Sequence, residues 1–230
     1  MLSLIIPLHN DGKRLLTNWN KLYSFLSKYI NDFEIILAED GSIDNTYEIC
    51  KKLHRKYHNV KISHYKNKLG RGLAIKKACK ICKGKYIGYI DSDMATDISF
   101  ILDANKLLKT NDVVIGSRYI EKSHTKRKKY RLFMSFVYNY IVKIVLHNNV
   151  YDNQCGFKFF KRDTILKLNK KSIMNHWSWD TEIIFLSRIY GYKIKEMGIV
   201  WEEKSQSKVK VKDLFDMFKN IFIIKFHKYR

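Results

Sequence analysis

The sequence feature that most constrains the fold of this chain is a polar cluster directly after each of three short apolar runs. The clusters are His9-Asn10-Asp11, Glu39-Asp40-Gly41-Ser42 and Asp91-Ser92-Asp93. The preceding runs, 2–8, 33–38 and 86–90, have the length and composition of buried strands. Helical periodicity separates them, so the order predicts a parallel sheet with helices on both faces. In such a sheet ligands bind beyond the carboxyl ends of the strands, and the three clusters are expected to meet there.

The same periodicity predicts the remaining elements. Further strands are expected at 60–65, 112–115, 156–161 and 193–201, and helices at 15–29, 44–57, 72–82, 98–108, 130–146, 177–190 and 209–228. Thr96 or Asp97 is predicted to cap the helix that carries Ile98. We therefore expect one α/β domain, 1–208, followed by a basic amphipathic helix, 209–230.

Asp91 and Asp93 offer two carboxylates just past a predicted strand. Carboxylates two residues apart can reach one hard cation, which typically carries a diphosphate and neutralises it as it leaves. A pair of this kind is also common in solvated turns, so the spacing alone is weak. The convergence of three strand-end clusters is the stronger argument for a ligand site.

The net charge of +22 is concentrated in two segments. Residues 118–131 and residues 204–230 each have a net charge of +6. Such clustering suits an anionic partner: nucleic acid, an anionic membrane surface or a phosphorylated substrate. A generally lysine-rich surface is the alternative. Nucleic acid is not the expected partner, because the acidic strand-end clusters would repel its phosphates unless a metal is present.

The cysteines and the apolar runs indicate the cellular environment of the chain. The four cysteines do not form the framework of a disulfide-stabilised chain, and Cys79 and Cys82 share an apolar helical face that predicts core packing rather than a zinc site. The apolar run 2–8 is too short for a signal peptide, and no run reaches the roughly 18 apolar residues of a membrane span. A reducing cytoplasm is the expected environment.

Seven ordered motifs now identify a family. They are IPLHND (6–11), AEDGSIDNT (38–46), NKLGRGLA (67–74), DSDMAT (91–96), GSR (116–118), DNQCGFK (152–158) and WEE (201–203). In these the chain resembles the family-two glycosyltransferases, which have the GT-A fold, a mostly parallel sheet flanked by helices. It is most similar to dolichyl- and polyprenyl-phosphate β-glucosyltransferases and the related dolichyl-phosphate mannose synthases. The resemblance implies an inverting, metal-dependent transfer of a hexose, with glucose from UDP-glucose favoured, to a polyprenyl or dolichyl phosphate.

The resemblance also implies a nucleotide-sugar site. Pro7, His9 and Asp11 would line the base and ribose, although the family usually has Tyr and Glu where this sequence has His9 and Asp11. Asp40 would accept a hydrogen bond from the base, and a carboxylate suits the imide N–H of uracil.

The diphosphate and the donor sugar have their own implied residues. Asp91 and Asp93 would hold Mg²⁺ or Mn²⁺, and Arg71 would offer a fork to phosphate or to the acidic pair. Some relatives have a third metal ligand where this chain has Ala95. Gln154 would lie near the donor sugar, and Lys208 would close on the diphosphate.

For the acceptor phosphate, Arg118, Arg131 and Ser135 match binding positions of the family. Arg131 and Ser135 are four residues apart and share a helix face. A phosphate oxygen is already anionic and needs no strong base. If the acceptor is instead a glycan hydroxyl, Asp180 would be the general base; with a phosphate, Asp180 would orient the sugar. A sugar-nucleotide-binding protein without catalysis is a further alternative.

A lipid acceptor requires contact with a bilayer. We expect a peripheral protein on the cytoplasmic side of a membrane, with helices 130–146 and 209–228 at the interface. The alternative is that both helices are core or oligomer contacts, so a homo-oligomer or a membrane subunit is a further expected partner.

Overall fold

The structure is a computed structural model that describes residues 1–204, 209 and 211–229. Lys208, a predicted donor ligand, lies outside the described residues. The strands are β1 Leu2–Leu8, β2 Phe33–Asp40, β3 Val60–Tyr65, β4 Tyr86–Ile90, β5 Val113–Ser117, β6 His124–Lys126, β7 Phe157–Lys161, β8 Ile194–Gly198 and β9 Val200–Glu202. The helices are α1 Gly12–Tyr29, α2 Thr46–Lys56, α3 Arg71–Ile81, α4 Phe100–Leu107, α5 Lys129–Leu146, α6 Arg162–Lys171, α7 Trp179–Ile189 and α8 Val211–Phe226.

Seven strands form one sheet in the order β3-β2-β1-β4-β7-β5-β8. All neighbouring pairs are parallel except those of β7, which runs antiparallel to both β4 and β5. The register pairs Ile90 with Phe157, so the beginning of β7 lies beside the end of β4. This reversed strand therefore delivers the loop 152–156 to the edge where Asp91 lies.

The core has two layers, one on each face of the sheet. Alternate residues of a strand point to opposite faces, so Leu4 and Ile6 pack with α1, α2 and α4, whereas Ile5 packs with α3, α5, α6, α7 and α8. All four cysteines are buried free thiols, and Cys79 and Cys82 belong to the second layer, as expected of core residues.

The C-terminal helix α8 is part of this second layer. Met217, Ile221 and Ile224 are buried on it, and the ring of Tyr138 on α5 lies 5.5 Å from that of Phe218. Beyond the helix, the Tyr229 hydroxyl donates to Glu182 Oε1 at 2.9 Å. The predicted C-terminal helix is present, and one of its faces contributes to the core of the domain.

Several element boundaries differ from the sequence-based expectation. Helix α4 begins at Phe100 after Ser99, so the prediction that Thr96 or Asp97 caps it is wrong; Asp97 Oδ1 instead accepts the Ser99 N–H at 2.8 Å in a turn before the helix. The predicted strand 193–201 is two strands, since β9 leaves the large sheet to pair with β6. Strand β6 and helix α6 were not predicted; their segments are short or rich in lysine and show little apolar periodicity.

Candidate active site

The three polar strand-end clusters meet at one edge of the sheet. Asn10 N donates to Ser42 Oγ at 2.9 Å, and Asn10 Oδ1 accepts the Ile43 N–H at 2.9 Å. Asn18 on α1 donates to the Ser92 carbonyl at 3.1 Å. Because β1 lies between β2 and β4, these contacts join all three clusters into one crevice.

Asp40 fixes the loop before α3. Its two carboxylate oxygens accept the N–H groups of Leu69 and Gly70 at 2.6 and 2.9 Å. Gly70 has φ +102°, a conformation that suits glycine, so the chain can turn here into α3. Each carboxylate oxygen can accept a second hydrogen bond, which leaves the predicted contact with the base open.

The predicted ribose and base residues lie at the end of β1. Asp11 is buried; its Oδ1 accepts from Arg14 Nη1 at 3.0 Å, and its N–H donates to Thr46 Oγ1 at 2.9 Å. His9 is half-buried, with Nδ1 2.8 Å from the Asp40 carbonyl oxygen. Pro7 lies inside β1 and is partly exposed. His9 thus contacts Asp40, and Pro7 is in register with Ala38 on the neighbouring strand; the roles of Pro7, His9 and Asp11 in donor binding stay predictions.

A network of ion pairs and hydrogen bonds lies at the centre of the crevice. Arg71 donates to Asp91 Oδ1 at 2.7 Å and to Asp180 Oδ2 at 2.5 Å. Lys158 on β7 donates to Asp180 Oδ1 at 2.7 Å, and the Tyr89 hydroxyl donates to the same oxygen. We call these five residues the charge network. Lys158 and Asp180 are almost completely buried, so two cations hold one carboxylate there.

The network sets the ionisation of its members. Burial alone would raise the pKa of Asp180, but Arg71 and Lys158 together with the hydrogen bonds to the carboxylate hold it below its usual value. Burial and the neighbouring Asp93 raise the pKa of Asp91, while Arg71 opposes this. An ion-paired carboxylate with a lowered pKa is a weaker proton acceptor than a free one, so this pairing favours an orienting role for Asp180 over that of a general base.

The acidic pair fits a cation that is shared with a substrate. Asp93 Oδ1 accepts the Ala95 N–H at 3.1 Å. Within the described ranges, no group of three or more His, Cys, Asp or Glu residues could hold a metal ion. Mg²⁺ commonly takes one or two carboxylates and completes its shell with water and substrate phosphates. Asp91 and Asp93 are a donor set of this kind, and their role as metal ligands stays a prediction.

Two residues of this site were not predicted individually. Lys158 lies between phenylalanines in the buried strand Phe157–Lys161. A lysine is almost never fully buried unless it is paired, so a lysine inside a strand of this kind is a signal of a buried partner. Gly156 packs against Asp91: a Cβ added there would lie 1.8 Å from Asp91 Oδ2. The Asp91 N–H also donates to the Gly156 carbonyl at 3.1 Å, so the two loops are held together.

The predicted acceptor residues Arg118, Arg131 and Ser135 each have a partner within the protein. Arg118 binds Asp152 through two hydrogen bonds of 2.7 and 2.8 Å. Arg131 pairs with Glu203. Although four residues apart on α5, Arg131 and Ser135 do not share a partner, since Ser135 Oγ accepts from Arg127.

Gln154 points toward the C-terminal helix. Its Nε2 lies 3.9 Å from Met217 Sδ on α8, and its N–H donates to Asp152 Oδ1 at 3.3 Å. The loop 152–156 thus connects α8 with the Arg118 pair and with Asp91, and the role of Gln154 at the donor sugar stays a prediction.

The model of Glycosyl transferase family 2 matches residues 3–168. This chain belongs to that family. The resemblance that the seven motifs indicated is therefore confirmed, and this chain, called the family-2 chain below, is a glycosyltransferase.

Curated relatives extend the likeness to nearly the whole chain. The family-2 chain is 30% identical to the dolichyl-phosphate beta-glucosyltransferase of Saccharomyces cerevisiae, covering 97% of this chain and 74% of that protein. It is 30% identical to ALG5A of Trichomonas vaginalis, a dolichyl-phosphate beta-glucosyltransferase, over 94% and 70% of the two chains. Glycosyltransferase AglD of Haloferax volcanii is also 30% identical; the match covers 94% of this chain but 35% of that longer protein.

Solved structures support the fold. Glucosyl-3-phosphoglycerate synthase from Mycobacterium tuberculosis superposes with a TM-score of 0.68 at 13% identity, over 97% of this chain and 78% of that one. TarS of S. aureus gives 0.59 at 18% identity, over 97% and 64%. The predicted GT-A fold of the family-2 chain is confirmed by these neighbours.

Proposed function

We propose that this chain transfers a hexose from a nucleotide diphosphate to a polyprenyl phosphate, with UDP-glucose as the expected donor. The relatives named as dolichyl-phosphate beta-glucosyltransferases support the acceptor class and the sugar. The observation that carries the proposal is the ion pairing of Asp180 with Arg71 and Lys158. A phosphate acceptor suits a site whose carboxylate is held in this way, because a phosphate has no proton that must be removed.

The reaction needs positioning and stabilisation of the leaving group. A phosphate oxygen of the lipid attacks the anomeric carbon on the face opposite the diphosphate; one carbon–oxygen bond forms as the other breaks, and the nucleotide diphosphate leaves. Asp91 and Asp93 would hold a divalent cation, which would neutralise the charge that develops on the departing diphosphate. Arg71, already at Asp91, would add a second positive group there, and Arg118, Arg131 and Ser135 would orient the lipid phosphate.

The outer faces of α5 and α8 support contact with a membrane. Both helices expose large apolar side chains; these are Tyr130, Phe133, Met134, Phe136, Tyr140 and Ile144 on α5 and Phe215, Phe222, Ile223 and Phe226 on α8. We call this set the aromatic surface. Lysines of the same segments would bind lipid phosphates. We propose that the aromatic surface lies in the cytoplasmic leaflet and brings the crevice to the lipid. None of the helices in the described ranges has the length and hydropathy of a bilayer span.

The aromatic surface predicts the effect of added charge. Replacing both Phe133 and Phe136 by Glu should weaken binding to anionic vesicles by at least about tenfold, because two aromatic rings that enter the lipid contribute several kcal/mol to insertion. Vesicle co-sedimentation measures the effect. Leu16→Glu is the matched control, since Leu16 is exposed on α1, which packs on the other face of the sheet. Unchanged vesicle binding, with loss of a dimer in sedimentation velocity, would instead make the surface an oligomer contact.

A direct assay tests the proposed reaction. Purified protein is incubated with Mn²⁺ or Mg²⁺, radiolabelled UDP-glucose and a polyprenyl phosphate in detergent, and label is counted in the organic phase. Metal-dependent lipid label is the expected result. UDP release that rises with a glycan acceptor, without lipid label, would replace the proposal by transfer to a hydroxyl. UDP-sugar binding without any turnover would indicate a binding protein.

Asp93→Ala is expected to lower the rate of lipid labelling at least about a hundredfold, because the cation would lose one of two protein carboxylates. Asp103→Ala, on the exposed side of α4, is the control and should retain the wild-type rate. Thermal unfolding checks that both variants are folded. A near-wild-type rate for Asp93→Ala would remove the metal role from this residue.

A further inference from the structure

Arg127 is a half-buried arginine between β6 and α5 whose charge lacks a carboxylate partner within the described ranges. Its Nη1 donates to Ser135 Oγ at 2.6 Å. Its Nε is buried and makes no hydrogen bond with the described residues. A partly buried cation whose Nε is cut off from water is costly unless something pairs with it.

The two neighbouring arginines differ from Arg127 in this respect. Arg118 is neutralised by Asp152 and Arg131 by Glu203. Burial and the nearby Arg118 lower the pKa of Arg127, while Tyr119, Glu203 and Asp152 oppose this. The guanidinium stays protonated at neutral pH, because its ordinary pKa is far above 7. The group of three arginines therefore has one uncompensated positive charge, and it is on Arg127.

Trp201 connects this charge to the crevice. The guanidinium carbons of Arg118 and Arg127 each lie 5.5 Å from the centre of the Trp201 ring. Trp201 and Asp91 line the same small cavity, and Trp201 pairs with Thr96 in the segment that follows the acidic pair. Trp201 thus lies next to Arg127 and also lines the cavity that Asp91 lines.

An anion at this position would complete the arrangement. The Nε and Nη groups of arginine form a planar fork that matches two oxygens of a phosphate. On Arg127 the Nε of that fork is without a partner, and Ser135, already a predicted phosphate ligand, is bonded to the same guanidinium. We propose that Arg127, through its fork, binds the acceptor phosphate together with Ser135. This inference rests on the proposed function, whose phosphate site it extends by one residue.

The test compares two adjacent cations. Arg127→Met removes the fork and keeps an apolar stem. Lys126→Met is the control, because Lys126 is largely exposed and its ion pair with the half-exposed Glu202 is long at 3.7 Å. Titration calorimetry measures binding of geranyl phosphate, a soluble isoprenyl monophosphate, and of UDP. Geraniol, which has no phosphate, reports apolar binding alone.

Arg127→Met is expected to weaken geranyl phosphate binding about ten- to a hundredfold, the usual effect of losing a charge-assisted hydrogen-bonding group, with UDP affinity within about twofold of wild type. Lys126→Met should bind both ligands as the wild type does. Equal geranyl phosphate affinity in the two variants would overturn the inference, as would a parallel loss of UDP affinity. If Arg127→Met does not fold, Arg127→Lys replaces it: intermediate affinity would support the fork, and wild-type affinity would contradict it.

This design separates the inference from the proposed function. A wild-type protein that binds geranyl phosphate but labels no lipid would refute the transfer reaction, while the comparison of variants would still decide the role of Arg127. A wild-type protein that labels lipid, with Arg127→Met as active and as tight as Lys126→Met, would refute only the inference. Failure of the wild type to bind geranyl phosphate would overturn the role of Arg127 whatever the transfer assay shows.

Discussion

Replacing Lys158 with Met is expected to destabilise the folded protein by about 3–5 kcal/mol, the usual cost of breaking a buried ion pair from one side. The Lys158 side chain is fully buried, and its ammonium donates to Asp180 Oδ1 and to the Cys155 carbonyl, each at 2.7 Å. Methionine fills a similar volume but leaves Asp180 with one cation fewer. Urea unfolding monitored by circular dichroism measures the loss.

A double-mutant cycle separates this ion pair from general packing. Lys158→Met combined with Asp180→Asn should be less destabilised than the sum of the single variants by more than about 1 kcal/mol, because the second change removes the buried carboxylate that has lost one of its two cations. Lys161→Met is the control on the same strand. Its ion pair with Asp112 is partly exposed, so we expect a loss below about 1 kcal/mol. Additive single effects in the cycle would mean that Lys158 stabilises the fold through its stem.

The same pair predicts a pH dependence. The carboxyl pKa of Asp180 is lower in the folded protein than its ordinary value, so its ionisation stabilises the fold at neutral pH. That contribution is complete above the unfolded pKa, about 3.9, and is lost as the pH falls through the folded pKa. Because Asn cannot ionise, the stability difference between wild type and Asp180→Asn should shrink below about pH 4. A difference that grows on acidification would contradict the assigned ion pair.

Gly156→Ala is expected to lower the rate of transfer at least about a hundredfold, because a misplacement of about 1 Å at a reacting centre can have this effect. The added Cβ would lie 1.8 Å from Asp91 Oδ2, so either the carboxylate or the loop must move. The loop has little freedom: the Asp91 N–H is bonded to the Gly156 carbonyl, and Ile90 is in register with Phe157. We therefore expect the Asp91 carboxylate, which would hold the cation, to be displaced.

Gly191→Ala is the matched control for this substitution. Gly191 has φ +72° and nothing within 4 Å of an added Cβ, so the variant strains the backbone in the turn after α7 and touches no other group. Both variants should lose about 1–3 kcal/mol of stability, but Gly191→Ala should keep the wild-type rate. The lipid-labelling assay and urea unfolding, run on both, measure the two effects. Equal rates in the two variants would show that the position of Asp91 does not limit the reaction.

The sequence alone determined the local elements and the edge where they meet. β1, β3 and β4 have the predicted bounds, because a buried strand between turn residues has a local pattern. The three strand-end clusters could be assigned to one crevice because parallel order follows from alternating strands and helices. The family could be identified because its motifs are short and stand in a fixed order.

Only the tertiary structure decided which charges neutralise each other at that edge. Arg71 and Asp180 are 109 residues apart in sequence, and they meet because the start of α3, at Gly72, lies against Trp179 at the start of α7. The same packing buries Lys158 against Asp180 and leaves Arg127 beside Trp201 without a carboxylate in the described part of the chain. Residue type and spacing show which groups can ionise. Their charge partners follow from strand direction, register and burial, which are properties of the whole folded chain.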